Sequence, residues 1–286
     1  MDRPAVSVVV PFLGDYAQAR ALVATLATLR IGPGDELVVA DNTPDGVVEA
    51  VADGQLKVVG IADTRSASHA RNAGAEQASG EWLLFIDADC RPPVDLIDGF
   101  FTPQPSPLCG VVAGEIEGVG EQDEFLARWA RSRRRKWVFH HLVSGPYPGA
   151  VTANMLVRRE AFADLGGFRP GGGGDLDLSW RAQQRGWLFE YRPDVVIHHL
   201  DRVRLSELAG QAVAYGGHQR HLRRLHGAAV ARPPLARPIA RSLGGTLVNS
   251  LSGDLEKARF SVIDGFWAAL FWWGWLTGGA LARKAD

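Results

Sequence analysis

Residues 87 to 89 read Asp-Ala-Asp, two carboxylates one residue apart at the end of the apolar run Trp82-Leu83-Leu84-Phe85-Ile86. A buried carboxylate is costly unless it is paired or holds a cation. Two of them just past a strand can converge on one hard divalent ion, whose other ligands are waters and substrate phosphates. The chemistry open to them is to clamp a diphosphate. The plainer reading is a polar turn, and the tripeptide alone leaves both standing. Asp41-Asn42-Thr43 poses a similar choice, between an Asx turn and a carboxylate and amide that meet a base edge or a sugar. Arg71, Asn72 and Gly74 fall on the first turns of a helix starting near Ser66. A helix N-terminus with a guanidinium beside it suits an anion. Asp175 and Asp177 follow a glycine run, Gly171 to Gly174, at another helix start. They are N-caps, or one of them is a general base beside an adjustable loop. His198 and His199 end a strand, as metal ligands or as capping groups.

These residues need elements to position them. Val6–Pro11, Leu37–Asp41, Leu56–Ile61 and Trp82–Asp87 read as strands, and 16–29 and 66–78 as helices between them. Strands alternating with helices imply a mostly parallel sheet covered on both faces, with ligands at the carboxyl ends of the strands. Pro11-Phe12, Asp41-Asn42 and Asp87-Ala88-Asp89 all stand at such ends. The second half is mixed. Strands are expected at 110–117, 151–158 and 195–199, and helices at 123–141, 159–165, from about 175, and at 205–225. The stretch 231–238, ARPPLARP, reads as a linker. A Trp- and Phe-rich apolar tail covers 260–282.

Bulk properties exclude some classes. A chain of 286 residues, 46% hydrophobic and 22% charged, buries a substantial core. A net charge of −1 supplies no basic field for nucleic acid. Two cysteines, Cys90 and Cys109, make no disulfide framework and no CxxC knuckle, which fits a reducing, cytoplasmic compartment. The N-terminus runs straight into a strand-like segment without the pattern of a signal peptide. There is no GxxxxGK[ST] loop, no HExxH, no GxSxG and no GxGxxG after a strand.

Taken in order, VSVVVPF, VVADNT, ARNAGAEQASGEWLLFIDAD, TANMLVRREAFADLGGF, GDLDLSWR and VVIHH resemble a family 2 glycosyltransferase over roughly residues 5 to 226. The resemblance implies a GT-A fold: α/β, a three-layer α/β/α arrangement on a mostly parallel mixed sheet, here with C-terminal helices. It implies a GT-A domain at 1–226 and a Pro-containing linker with a helical tail at 227–286. It implies an inverting transferase using a nucleotide-diphospho-sugar donor, with uridine the default, and a divalent metal, Mn²⁺ or Mg²⁺. Carried over by position, Pro11 and Phe12 adjoin the nucleotide pocket, Asp41 meets the base, and Arg71 and Asn72 meet nucleotide or phosphate. Asp87 faces the ribose and the metal, Asp89 the metal, and His198 or His199 completes its coordination. Asp175 is the catalytic base. Asn154, Asp177, Trp180 and Arg181 lie on the acceptor side.

Two positions depart from the family pattern. Gly174 stands where a glutamate usually precedes the base, and Ala153 where glycine is commoner. Gly174 leaves room for a second reading, a catalytically weak GT-A domain serving as a nucleotide-binding scaffold, with Asp177 as one candidate to compensate. A nucleotidyltransferase is disfavoured, since no glycine-rich loop follows the first strand. For the acceptor, lipid-linked, polysaccharide and natural-product or peptide hydroxyls are all open. The uncharged stretch 265–282 followed by Arg283-Lys284 reads first as a helix packed on its own domain or on a second copy in a homodimer. Next comes an interfacial helix at the inner face of a membrane, and a true span well behind both. The basic segment RSRRRK, 131–136, would meet anionic headgroups or an anionic acceptor, or is a solvated helix face.

Overall fold

The computed structural model describes residues 3–52, 54–61, 66–119, 124–133, 146–200 and 204–279. Eight strands form one mixed sheet: β1 Val6–Phe12, β2 Glu36–Asp41, β3 Leu56–Gly60, β4 Trp82–Phe85, β5 Cys90–Arg91, β6 Cys109–Val119, β7 Met155–Arg158 and β8 Leu188–Leu200. Their order is β3-β2-β1-β4-β7-β6-β8-β5. β1 to β4 are mutually parallel, β7 runs against both β4 and β6, and β8 runs with β6 but against β5. The chain moves outward from β1 through β2 to β3, then returns to place β4 on β1's other side. The crevice at that reversal is where an open α/β sheet binds its ligand.

Continuous apolar strands arise because both faces of the sheet are buried. Along β1, Val6, Val8, Val10 and Phe12 enter one core with Leu22 and Leu26 of α1 (Tyr16–Leu26) and Ile97 and Phe100 of α3 (Leu96–Phe100). Val9 enters the opposite core, with Ala75 of α2 (Ala67–Gln77) and Leu178 and Ala182 of α6 (Gly174–Gln184). Helices on both faces make the three layers that the sequence implied. α4 is described over 125–133, and α5 is Arg159–Asp164.

Several boundaries differ from the sequence reading. β4 stops at Phe85, so Ile86 and Asp87 already belong to the turn. Thr152–Asn154 forms a short 3-10 turn, and only 155–158 is strand. The stretch read as a linker at 231–238 is cut short by α8, Ala236–Leu251, which takes Pro238 into its first turn, where no helical N–H is lost. α9 begins at Leu255 and ends at Thr277, with Gly278 in the left-handed conformation. The short β5 and α3 were not anticipated. RSRRRK is described only through Arg133, and 280–286 lie outside the described residues.

Two compact units emerge: residues 1–121, 133–170 and 174–201, and residues 122–132, 171–173 and 202–286. α7, Leu205–His226, thus groups with α8 and α9 rather than with the sheet. Small residues explain this. A Cβ on Gly216 of α7 would lie 1.9 Å from the Phe271 carbonyl oxygen, and one on Gly274 of α9 would lie 2.0 Å from that of Val213. The two helices therefore pack backbone to backbone.

A buried ion cluster closes the edge of the first unit. Arg3 donates to both Asp35 oxygens at 2.8 and 2.5 Å and to Asp98 at 2.7 Å, while Asp35 also accepts from the Val6 and Gly32 N–H groups. Burial alone would raise the Asp35 carboxyl, but the Arg3 and backbone hydrogen bonds together hold it below the usual carboxylate range. A depressed pKa contributes stability that is present above about pH 4 and is lost as pH falls through the lower folded value. Asp35→Ala leaves Arg3 with a weakened partner set and is expected to cost about 3 kcal/mol. The check is a lower urea midpoint at pH 7 with an unchanged slope, and a smaller wild-type advantage in acid.

Candidate active site

The carboxyl end of β1 offers backbone more than side chain. Phe12 is buried in the core, and its carbonyl accepts from the Asn42 N–H at 2.8 Å. Phe12 therefore acts as packing beneath the crevice, and half-buried Pro11 carries the strand into it. At the end of β2, Asp41 is buried, and its carboxylate is turned on its own loop. Oδ1 accepts from the N–H and hydroxyl of Thr43 at 3.0 and 2.7 Å, and Oδ2 from the Val48 N–H at 2.9 Å. Asn42 Nδ2 donates to the Ile61 carbonyl at 2.9 Å, tying in the end of β3. The Asx-turn reading of this segment describes its hydrogen bonds.

The helix after β3 starts on Ser66, whose Oγ accepts from the His69 N–H. Arg71, one turn in, donates to Asp87 Oδ1 at 2.6 Å. Its Nε is buried and has no hydrogen-bond partner among the described residues. A buried cationic donor without an acceptor is expensive, so this group suits an incoming anionic oxygen. Asn72 points elsewhere. Its amide donates to the Phe168 carbonyl at 2.8 Å and accepts from the Phe168 N–H at 2.9 Å. It clasps a distant turn and is not placed to hold phosphate.

Past β4 the chain turns back, with the Cys90 N–H on the Asp87 carbonyl at 3.0 Å, and β5 pairs Cys90 with His199 and Arg91 with His198. Alternation separates the two histidines. His199 Nε2 lies 3.2 Å from Asp89 Oδ1, whereas exposed His198 is 4.0 Å from Glu117. His199 Nδ1 is 2.8 Å from the Leu200 carbonyl oxygen, which only accepts, so Nδ1 carries the proton. In the neutral ring Nε2 then presents a lone pair to a carboxylate. Two Lewis bases face one another across a gap that a cation fits, with the ring oriented through its other nitrogen as metal-bound imidazoles are. Asp89 and His199 therefore fit a divalent metal. Asp87, expected beside the same ion, is engaged by Arg71.

Asp175 opens α6. Its Oδ1 accepts from the Leu176 N–H at 2.9 Å, and its carbonyl accepts from Ser179 Oγ, which in turn accepts from the Ala150 N–H. A Cβ on Gly174 would sit 3.1 Å from Ser68 Oγ. The start of α6 thus abuts the first turn of α2, one turn from Arg71. Asp177 is buried and paired with Arg181 at 2.8 Å and Arg169 at 3.3 Å. Arg181 also donates to the carbonyls of Leu165 and Gly167. Burial pulls the Arg181 guanidinium below its ordinary range against the pull of Asp177. Trp180 is buried as well. Asn154 is fully buried, donating to the carbonyls of Glu115 and Val195 where the β6–β8 register slips. Asn154, Asp177, Trp180 and Arg181 thus brace the site from inside, and Asp177 is not free to replace the missing glutamate. Sequence reasoning missed Ser68 and Phe168. The contacts that tie them to the site, Phe168 to Asn72 and Ser68 to the start of α6, span more than ninety positions and leave no local signal.

This is a GT-A fold, a three-layer α/β domain with a carboxylate pair at the switch point of its sheet. The model of glycosyl transferase family 2 matches residues 7–166, more than half of the chain, and the chain belongs to that family. It is 26% identical over 252 residues to the pre-mycofactocin glycosyltransferase of Mycobacterium tuberculosis, covering 85% of this chain and 51% of the relative, about half its length. It is 26% identical over 210 residues to glycosyltransferase AglE of Haloferax volcanii, covering 68% and 67%. Among solved structures it is similar to the mannosyltransferase PcManGT of Pyrobaculum calidifontis in complex with GDP-Man and Mn²⁺ (TM-score 0.64, 22% identity, 99% and 86% covered). It is also similar to glucosyl-3-phosphoglycerate synthase of M. tuberculosis in complex with Mn²⁺, UDP-Glc and glycerol 3-phosphate (TM-score 0.55, 19% identity, 81% and 82% covered).

The geometry separates the histidines by experiment. His199→Ala is expected to weaken Mn²⁺ binding by about tenfold or more, and His198→Ala to leave it nearly unchanged. Electron paramagnetic resonance of free Mn²⁺ reads both.

Proposed function

We propose that this chain moves a sugar from a nucleotide-diphosphate donor, with UDP-sugar the default, to an acceptor hydroxyl with inversion at the anomeric carbon. The observation that carries the reading is the meeting of Arg71–Asp87 and Asp89–His199 at the switch point, one anion-seeking pair beside one cation-seeking pair. Arg71 takes a diphosphate oxygen on its unpartnered Nε, and Asp87 holds its guanidinium in place. Asp89 and His199 would hold the divalent ion, which neutralises charge on the departing diphosphate. Asp175 accepts the proton of the acceptor hydroxyl as its oxygen attacks from the face opposite the leaving group. The GDP-Man, UDP-Glc and Mn²⁺ bound by the two structural neighbours support this class of donor and metal.

Asp175→Asn is expected to lower turnover by about 10²- to 10⁴-fold while UDP and Mn²⁺ still bind. Unchanged turnover rejects Asp175 as base. A wild-type chain that binds donor and metal yet neither transfers nor hydrolyses the sugar favours the scaffold reading that Gly174 suggests.

A surface feature bears on the acceptor. No helix among the described residues is long and apolar enough to cross a membrane. α8 nonetheless exposes Leu243, Leu247, Val248 and Leu251, continued by Leu255 of α9. Between Leu208 and Gly253 the sequence has arginines at 220, 223, 224, 232, 237 and 241 and no acidic residue. An apolar stripe beside unbalanced positive charge fits an anionic lipid surface, which would place the acceptor at a membrane. α9 packs closely on α7 through Gly274, as the first reading of the Trp-rich tail had it, and still exposes Val262, Phe266, Trp273 and Leu276, so the interfacial alternative takes in α8 and α9 together. Co-sedimentation with phosphatidylglycerol vesicles, weaker in high salt, absent with phosphatidylcholine and lost in Leu247→Glu, is the expected result. A dimer split by Leu247→Glu, without vesicle binding, assigns the face to a second copy instead.

A further inference from the structure

We propose that Cys90 is a third protein ligand of the Asp89–His199 cation site, giving it a thiolate and a preference for Zn²⁺, Co²⁺ and Cd²⁺ over Mg²⁺ and Mn²⁺. The inference rests on the reading of Asp89 and His199 as the metal site and adds a ligand which that reading does not require.

Cys90 opens β5 directly across the ladder from His199. Directly opposed residues on an antiparallel pair put their side chains on the same face. One ligand atom from each of Asp89, Cys90 and His199 lies within 4.8 Å of the other two. Bonds of about 2.0–2.3 Å in a tetrahedral zinc site put ligand atoms roughly 3.3–3.8 Å apart, so a small side-chain adjustment closes the set. The parts that would have to stay put are already fastened. His199 is tied through Nδ1 to the Leu200 carbonyl, so Nε2 is aimed at the cluster. The Cys90 N–H is tied to the Asp87 carbonyl, which fixes the turn that returns Asp89 and Cys90 to the same histidine.

The thiol is buried, with a weak hydrogen bond to the Ala153 carbonyl oxygen at 3.8 Å. On binding a metal it ligates as thiolate and its proton passes to water. Magnesium favours an all-oxygen shell, whereas a nitrogen, oxygen and sulfur set with an open fourth position suits zinc or cobalt. The consequence is that Zn²⁺ competes with Mn²⁺ for this site, with Cys90 setting the ratio. Cys109 serves as the internal control. It is fully buried on β6, its thiol donates to the Val111 carbonyl, and burial pushes it up to about 12.

The test is titration of the whole reduced, metal-stripped chain with Co²⁺, with and without UDP, reading the near-ultraviolet thiolate-to-cobalt charge-transfer band. The band is expected in the wild type and in Cys109→Ser and is expected to be absent in Cys90→Ser. Co²⁺ affinity should fall by about tenfold in Cys90→Ser, while Mn²⁺ affinity changes far less. Cobalt bound by the wild type without the band, or a band that survives in Cys90→Ser, overturns the role of Cys90 and leaves the Asp89–His199 site standing. Failure of the wild type to bind either Co²⁺ or Mn²⁺, with or without UDP, removes the site itself. The wild-type spectrum decides the matter even where the serine variant does not fold.

Discussion

Two helices from distant parts of the chain are fastened to one four-residue turn, Leu165–Phe168, and the site hangs on that turn. Asn72 of α2 forms paired hydrogen bonds with the Phe168 backbone, and Arg181 of α6, held by buried Asp177, donates to the carbonyls of Leu165 and Gly167. The Phe168 ring packs on Phe85, the last residue of β4, with centroids 5.0 Å apart. Arg71, Asp175 and the start of the Asp87 turn are thereby referred to a common anchor. A buried carboxylate–guanidinium pair is a poor source of net stability but a strong constraint on geometry, because breaking it strands a charge.

From that anchor the division of labour among the carboxylates follows. Asp87 has a guanidinium beside it, Asp89 an imidazole lone pair, Asp177 two arginines, and Asp41 its own loop. Four acids that look interchangeable in the chain meet four different electrostatic environments. Only Asp89 is left facing a second Lewis base. Asp175, at the head of a helix, has its side chain bonded to nothing beyond its own turn among the hydrogen bonds described.

The sheet was largely legible because its central strands are buried on both faces and so appear as unbroken Val, Ile and Leu runs. The Asp-Ala-Asp turn was legible because the carboxylates end such a run. α8 was not, since proline and arginine at its start resemble a linker, and it is held by α9, which lies beyond it in the chain. The acceptor-side assignments of Asp177, Trp180 and Arg181 failed to anticipate burial. A polar residue on a helix shows its chemistry in the sequence but not the direction in which it points.

The sequence by itself determined the alternation of strands and helices and which residue types stand at the strand ends, because these depend on hydrophobic period and local spacing, and its ordered motifs carried the resemblance to the family. Only the tertiary structure set His199 against Asp89 and His198 toward Glu117, through their alternation on β8, and turned Asn72 to the Phe168 backbone while Arg71 met Asp87. Those choices depend on contacts across about a hundred residues, where a single rotation along the backbone exchanges a ligand for a brace.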